Sequence, residues 1–347
     1  MTSLAEFRAE FDRCPGYLNA ATMGVPPRAT VAALRADLDE WATGSAGAAV
    51  YDEAVHRARS AYAALVRSPL DRVAVGSQTS VLAALMADAV PTGGEVLCVE
   101  GDFSSMVFPF LVQRDRVSVR QVPLEDLVRE IGPRTALVAF SLVQSATGAV
   151  ADGPGIAEAA RAVGAWTFCD VTQAAGWLPV DATMFDATVC AAYKWLCAPR
   201  GSAFLTVAER LQESVRPLYA GWYAGLDVWG SCYGPQMRLA DDARRYDVSP
   251  AWSVWVGAAV SLELFAAVDP VAVRDHDAAL ADGLLARCGL PSAGSAVVTL
   301  PDPDGTARGR LEAAGCRVAG RAGRVRLAFH VWNDEGDVER AAAALGV

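Results

Sequence analysis

Apolar positions along the chain follow two different periods, and the switches between them mark out the elements. Helical spacing runs from Leu4 to Asp12, breaks in the irregular segment Tyr17 to Pro27 with its Gly and Pro residues, and resumes from Arg28 to about Thr43 and from Tyr51 to Val66. Short apolar runs of strand length then alternate with helical stretches. Val73 to Val75, Glu95 to Val99, Thr135 to Phe140 and Trp166 to Asp170 read as buried strands, while the Ala/Leu-rich stretch after Thr79 and residues Asp152 to Val163 read as helices. Such alternation predicts an α/β fold. From Trp252 the pattern changes to a helix reaching Ala267, a second helix carrying His276, strands at Ala296 to Leu300 and Arg324 to Phe329, and a closing helix from Asp334 to Leu345 capped by Asn333 or Asp334. The chain is expected to divide into a helical arm over residues 1–15 that packs with the smaller domain, a large domain over 16–245 and a smaller α+β domain over 246–347.

Composition narrows the classes. With 347 residues, 53% of them apolar, the chain has ample material for a sizeable core. It holds no apolar run long enough to span a membrane, and Met1 to Glu6 lack the basic, apolar character of a signal sequence, so a soluble cytoplasmic protein is expected. A net charge of -10 argues against nucleic acid or an anionic membrane as partner. Eight cysteines stand singly, with no CxxC pair, which predicts free buried thiols rather than a disulfide framework. His56 has no second ligand at metal-binding spacing, and no metal site is expected.

Candidate chemistry begins with one residue. Lys194 is the only lysine among 30 basic residues, and it stands in the largely apolar stretch Ala191 to Leu205. Arginine cannot condense with a carbonyl group. A lysine amine can, once burial lowers its pKa, and the same amine then serves as a proton shuttle. A second candidate is the junction Arg72 to Leu85, where a β-branched strand passes through Gly76-Ser77-Gln78-Thr79 into a helix. Free amides and hydroxyls at such a junction suit a phosphate, although the junction taken alone reads better as an ordinary N-cap by Ser77 or Thr79. Ligands of open α/β sheets gather at the carboxyl ends of strands, which makes Ser77, Phe103, Ser145 and Asp170 candidates to converge.

The stretch Asp170-Val171-Thr172-Gln173 followed by Ala175-Gly176, Asp181 and, 24 positions after Asp170, Lys194 is similar to the class V aminotransferase family of fold-type I pyridoxal phosphate enzymes. That family includes cysteine desulfurases, kynureninases and isopenicillin N epimerase-like proteins. The similarity extends upstream through Gly76 to Thr79 and Thr147-Gly148, and downstream to Val325 to Asp334, covering nearly the whole chain. It implies a large domain with a mainly parallel seven-stranded sheet, a smaller α+β C-terminal domain, a homodimer with shared active sites, and a small amino-acid substrate. It also implies roles. Lys194 links the cofactor and moves the proton at the substrate Cα; Asp170 pairs with the pyridine nitrogen; Gln173 meets the ring oxygen; Phe103 stacks on the ring. Ser77, Gln78 and Thr79 cradle the phosphate with the Tyr193 hydroxyl, and Ser249 reaches the neighbouring subunit's phosphate. Ser145, in the Gln144-Ser145 pair that replaces the usual Asn, stands near the ring. Arg326 clamps the substrate carboxylate, and Asn19, Trp222 and Tyr223 complete the substrate side.

Departures from the family pattern bear on reaction type. Gly320 to Val325 lacks the cysteine that desulfurases carry on a mobile loop, and Cys316 reads as a strand residue, which disfavours persulfide chemistry. Tyr193-Lys194-Trp195-Leu196-Cys197-Ala198-Pro199-Arg200-Gly201 and Gly221-Trp222-Tyr223-Ala224-Gly225 resemble an actinobacterial branch containing C–S lyases of ergothioneine and lincosamide biosynthesis. The resemblance implies β-elimination on a cysteine S-conjugate. Decarboxylating oxidative deamination of such a conjugate, transamination, epimerisation, and a regulatory protein on a degenerate fold of this type are the alternatives. The Trp222 to Tyr233 segment reads equally as a pocket lining, a dimer contact or a packed loop.

Overall fold

The computed structural model describes residues 2–347. Three helices, α1 (Leu4–Ala9), α2 (Arg28–Thr43) and α3 (Ala48–Leu65), precede a run of alternating elements: β1 (Val73–Gly76), α4 (Thr79–Ala89), β2 (Glu95–Val99), α5 (Ser104–Val112), β3 (Ser118–Val122), α6 (Leu127–Glu130), β4 (Thr135–Ser141), α7 (Gly153–Val163), β5 (Trp166–Asp170), β6 (Ala187–Ala191) and β7 (Ala203–Val207). After α8 (Glu209–Gln212) come α9 (Trp252–Ala267), α10 (Pro270–Arg287), β8 (Val297–Pro301), α11 (Thr306–Ala313), β9 (Ala319–Arg321), β10 (Arg324–Ala328) and α12 (Glu335–Leu345). The first seven strands form one sheet in the order β1-β7-β6-β5-β4-β2-β3, parallel except for β7, which runs against both neighbours. The expected seven-stranded, mainly parallel sheet is present. Apart from the exposed, polar edge strand β3, its strands are largely β-branched or apolar and buried on both faces, as helix-covered parallel sheets require.

The last three strands form a separate antiparallel sheet, β8-β10-β9, whose core includes Leu284, Val298, Leu327 and Val338 together with Leu18 from the N-terminal segment. Packing draws the boundary between the layers later than the sequence pattern does. Helix α9 lies on α2 and α3, and its Trp255, Leu262 and Phe265 share the core of the large sheet. The reason is composition: α9 is apolar on nearly every face and is buried by whatever surrounds it. The arm docks where the two layers meet, through Phe7 and Phe11 against Phe265, with Trp332 against Phe11 and Arg8 donating to the carbonyls of Val331 and Asn333. Cys316 is buried but lies outside any strand, one residue before an isolated bridge at Arg317. Asp334 caps α12 in a reciprocal capping box with Asp337.

Edge strand β1 is anchored from outside the sheet. Arg59 of α3 and Asp247 are both nearly inaccessible and form a two-pronged ion pair of 2.6 and 3.1 Å. Arg59 also donates to the Val73 carbonyl (2.6 Å), and Asp247 accepts from the Val75 N–H (2.8 Å), so the pair completes the hydrogen bonding that no further strand supplies. Breaking it strands a charge in the core. Arg59→Ala is predicted to lower unfolding free energy by about 3–5 kcal/mol in urea denaturation, whereas the matched pair Arg59→Met with Asp247→Leu loses much less.

Candidate active site

Strand ends deliver the site. Beyond β1, Ser77 and Gln78 lead into α4, whose N-cap is Gln78 with no side-chain cap. The ordinary-cap reading of Ser77 and Thr79 therefore fails, and the first amides of an 11-residue helix are left for an anion. Ser77, Gln78 and Thr79 line a cavity of about 200 Å³ with Phe103, Ser105, Thr172, Tyr193, Lys194 and Arg200. No acidic side chain stands among its lining. A larger surface pocket around Arg161 and Asp186 contains none of the candidate residues, and we place no chemistry there.

Lys194 is buried, its Nζ 5.2 Å from the centroid of the Phe103 ring and 5.8 Å from that of Tyr193. The turn that carries it is held carbonyl by carbonyl. Gly24 N–H donates to the Tyr193 carbonyl (3.0 Å), Cys197 N–H to that of Lys194 (3.1 Å), His330 Nε2 to that of Trp195 (2.9 Å) and Ser261 Oγ to that of Leu196 (2.6 Å). A carbonyl can only accept, so His330 carries its proton on Nε2. Gly24 is required by this approach, because a Cβ there would collide with the Lys194 carbonyl oxygen. Cys197 closes the turn at φ 53°, a left-handed conformation unusual outside glycine.

Asp170 ends β5 and is buried, accepting from the Thr172 N–H (2.8 Å). Burial pushes its carboxyl up to about 6, against the hydrogen bonds from Thr172 and the charge of Lys194. Asp102, beside Phe103, accepts from Ser141 N–H (2.8 Å), Ser141 Oγ (2.6 Å), Gln144 Nε2 (3.3 Å) and Phe103 N–H (2.6 Å). It thereby ties the ends of β2 and β4 together and fixes the start of α5 where Phe103 projects. Gln144 is committed to that clamp.

Asp170, Gln173, Ser145, Arg326 and Asn19 are not among the residues lining the cavity. Gln173 is buried, with its carboxamide bridging the Ala21 carbonyl (3.0 Å) and Trp195 Nε1 (2.7 Å). Arg326 on β10 is 1% exposed; it donates to the Ser145 carbonyl (2.6 Å) and Thr22 Oγ1 (2.8 Å), and its Nε has no partner. Asn19 Oδ1 is likewise buried without a partner. Ser249 is exposed and stands apart from the cavity lining, as do Trp222 and Tyr223. Trp222 packs on Tyr223 and Trp229, and Tyr223 is buried near Asp52 and Arg59, so within one chain this aromatic segment is a packed loop. Ser105, Thr172 and Arg200 line the cavity without distinct sequence signals: hydroxyls after a strand are common, and an arginine is unremarkable in this chain. The Arg200 guanidinium lies over the Tyr193 ring, 4.9 Å from its centroid.

The donor set fits pyridoxal phosphate. An uncapped helix start with hydroxyls suits its phosphate, Phe103 its ring face, the buried Asp170 carboxylate its ring N–H, and Lys194 its carbonyl carbon. Desolvation lowers the Lys194 amine to about 8; Asp170 opposes this, Arg326 and Arg321 reinforce it, and Cys190 opposes it. In the cofactor-free protein the neutral, nucleophilic form therefore gains as pH rises through about 8, far below the range of a surface lysine. Acylation of Lys194, read by peptide mass spectrometry, is predicted to rise with a midpoint near that pH and to shift lower in Asp170→Asn. A midpoint in the ordinary lysine range would contradict this electrostatic account.

Comparison with known proteins follows from this geometry. The model of the family "Aminotransferase class-V" matches residues 46–304. An isopenicillin N epimerase of Streptomyces clavuligerus is 27% identical over 65% of this chain and 62% of its own length. A kynureninase of Salinispora tropica is 29% identical over 83% of this chain and 75% of its own. Among solved structures, a cysteine desulfurase of Escherichia coli aligns with a TM-score of 0.85 at 18% identity, covering 100% of this chain and 98% of its own, which establishes the shared fold. The chain belongs to the class V aminotransferase family, with pyridoxal phosphate as its cofactor.

Proposed function

We propose that the protein is a C–S lyase that cleaves cysteine S-conjugates by β-elimination. The observation that carries this reading is the absence of a usable thiol from the cavity lining, where the Lys194 amine is in place; the buried Arg326 guanidinium, outside that lining, has no carboxylate partner among the described residues. Burial pushes the Cys190 and Cys197 thiols far above their usual range, and neither lines the cavity. Where a mobile cysteine loop would serve persulfide transfer, β9 and β10 are joined by Ala322 and Gly323 alone, at φ 47° and 70°. A fold neighbour of TM-score 0.86 is described as a cystine C-S lyase, which supports the choice without deciding it.

Bound pyridoxal phosphate supplies the sink for charge left at the substrate Cα. The chain does the rest. Arg326, lacking any carboxylate partner among the described residues, orients the substrate through its carboxylate, and Lys194 removes the Cα proton. Loss of the β-substituent then follows: a conjugate R–S–CH2–CH(NH3+)–COO⁻ and one water give R–SH, pyruvate and ammonium. Asp170 holds the ring nitrogen's proton, and Ser77 to Thr79 hold the phosphate. In the homodimer we propose, Ser249 and the segment from Trp222 to Tyr233 serve the partner's cavity, consistent with their absence from the lining of their own.

Holoenzyme incubated with S-alkyl and S-aryl cysteines is predicted to release thiol, pyruvate and ammonium in equal amounts, and Lys194→Ala to abolish release. Consumption of oxygen with release of CO2, or accumulation of a keto acid retaining the C–S bond, would contradict elimination.

A further inference from the structure

The β10 strand and its neighbour β9 present arginines to one side. Antiparallel register sets Arg324 opposite Arg321 and Arg326 opposite Ala319, and strand alternation then places Arg321, Arg324 and Arg326 on the same face. Thr299 of β8, opposite Arg326, shares that face, and its hydroxyl donates to the Thr147 carbonyl (3.2 Å). The face is therefore turned toward the β4 loop of the large sheet, where Arg326 itself reaches Ser145. Arg324 is spent on Thr299, through Oγ1 and the carbonyl at 3.2 Å each. Arg321 is not. It is exposed, its one side-chain hydrogen bond goes to the adjacent Gly320 carbonyl, and none of the three makes an ion pair among the described residues. The charge of Arg321 also bears on both Arg326 and Lys194, in keeping with the face that the strand register gives it.

We infer that Arg321 reads a second anionic group on the substrate, so that the preferred conjugate carries a carboxylate on its sulfur substituent. This deepens the C–S lyase reading and rests on it for the identity of the substrate. Arg321 lies two residues along β9 from the position opposite Arg326, about 7 Å further toward the hairpin tip. With the α-carboxylate on Arg326, a side chain of a few single bonds spans that step. The tight turn holds Arg321 in place, since two residues with positive φ leave the hairpin no slack.

The test compares S-carboxymethylcysteine with S-carbamoylmethylcysteine, its neutral amide of the same shape, on the holoenzyme. Pyruvate release should favour the acid in kcat/KM by about tenfold or more, the scale of a charge-assisted pair. Arg321→Gln should bring the ratio to within about twofold, and Arg321→Lys should keep part of it. A wild-type ratio near one, or a ratio unchanged in Arg321→Gln, overturns the inference. Calorimetric binding of glutarate against its monoamide supplies an arm that needs no turnover. If neither conjugate is cleaved, the lyase reading fails; a dicarboxylate preference lost in Arg321→Gln still supports the arginine's role, and equal binding of the two ligands refutes it.

Discussion

Four consecutive carbonyls, from Tyr193 to Leu196, are each satisfied by a different part of the chain, and the buried amine of Lys194 depends on that arrangement. A turn inside a protein must find partners for every backbone group, and here the partners are the N-terminal segment at Gly24, the turn itself at Cys197, the end of the small sheet at His330 and helix α9 at Ser261. The lysine is thus fixed by elements that are remote in sequence. Local helix or strand preference has little part in it. Trp195 shows the same economy: its carbonyl is held by His330 and its indole N–H by Gln173, which in turn grips Ala21.

Electrostatics at the site run against those of the molecule. The chain carries a net charge of -10, yet Lys194 and Arg200 line a cavity with no acidic side chain in its lining, and the charges of Arg326 and Arg321 bear on Lys194, opposed by the buried Asp170 carboxylate. Burial acts in opposite directions on the two ends of that constellation, lowering the amine and raising the carboxyl, because each charged form loses its water. An anionic cofactor and an anionic substrate relieve the surplus of positive charge. The net charge of the whole chain says nothing about the ligand.

Periodicity carried the fold. Glu95–Val99 and Trp166–Asp170 were legible to the residue because strands covered on both faces are plain apolar runs bounded by turns. Helix α9 was legible as a helix, but its place was not, since an all-apolar helix gives no stripe to say which layer it faces. At the site, Lys194 and Asp170 stood out through scarcity and spacing. The clamp at Asp102 and the grip of His330 on Trp195 were silent, because each joins residues far apart in the chain. Arg321 was hidden for a different reason: in a chain whose cations are almost all arginine, only the hydrogen bonds of the folded hairpin distinguish one that is free from one that is spent.

We propose that one buried amine, that of Lys194, carries the cofactor. Borohydride reduction of the pyridoxal phosphate-loaded protein, followed by peptide mass spectrometry, tests it most directly, because the chain has a single lysine. One phosphopyridoxyl adduct is expected, on the peptide containing Lys194, and none in Lys194→Ala. A protein that binds the cofactor yet yields no adduct at Lys194 would contradict it.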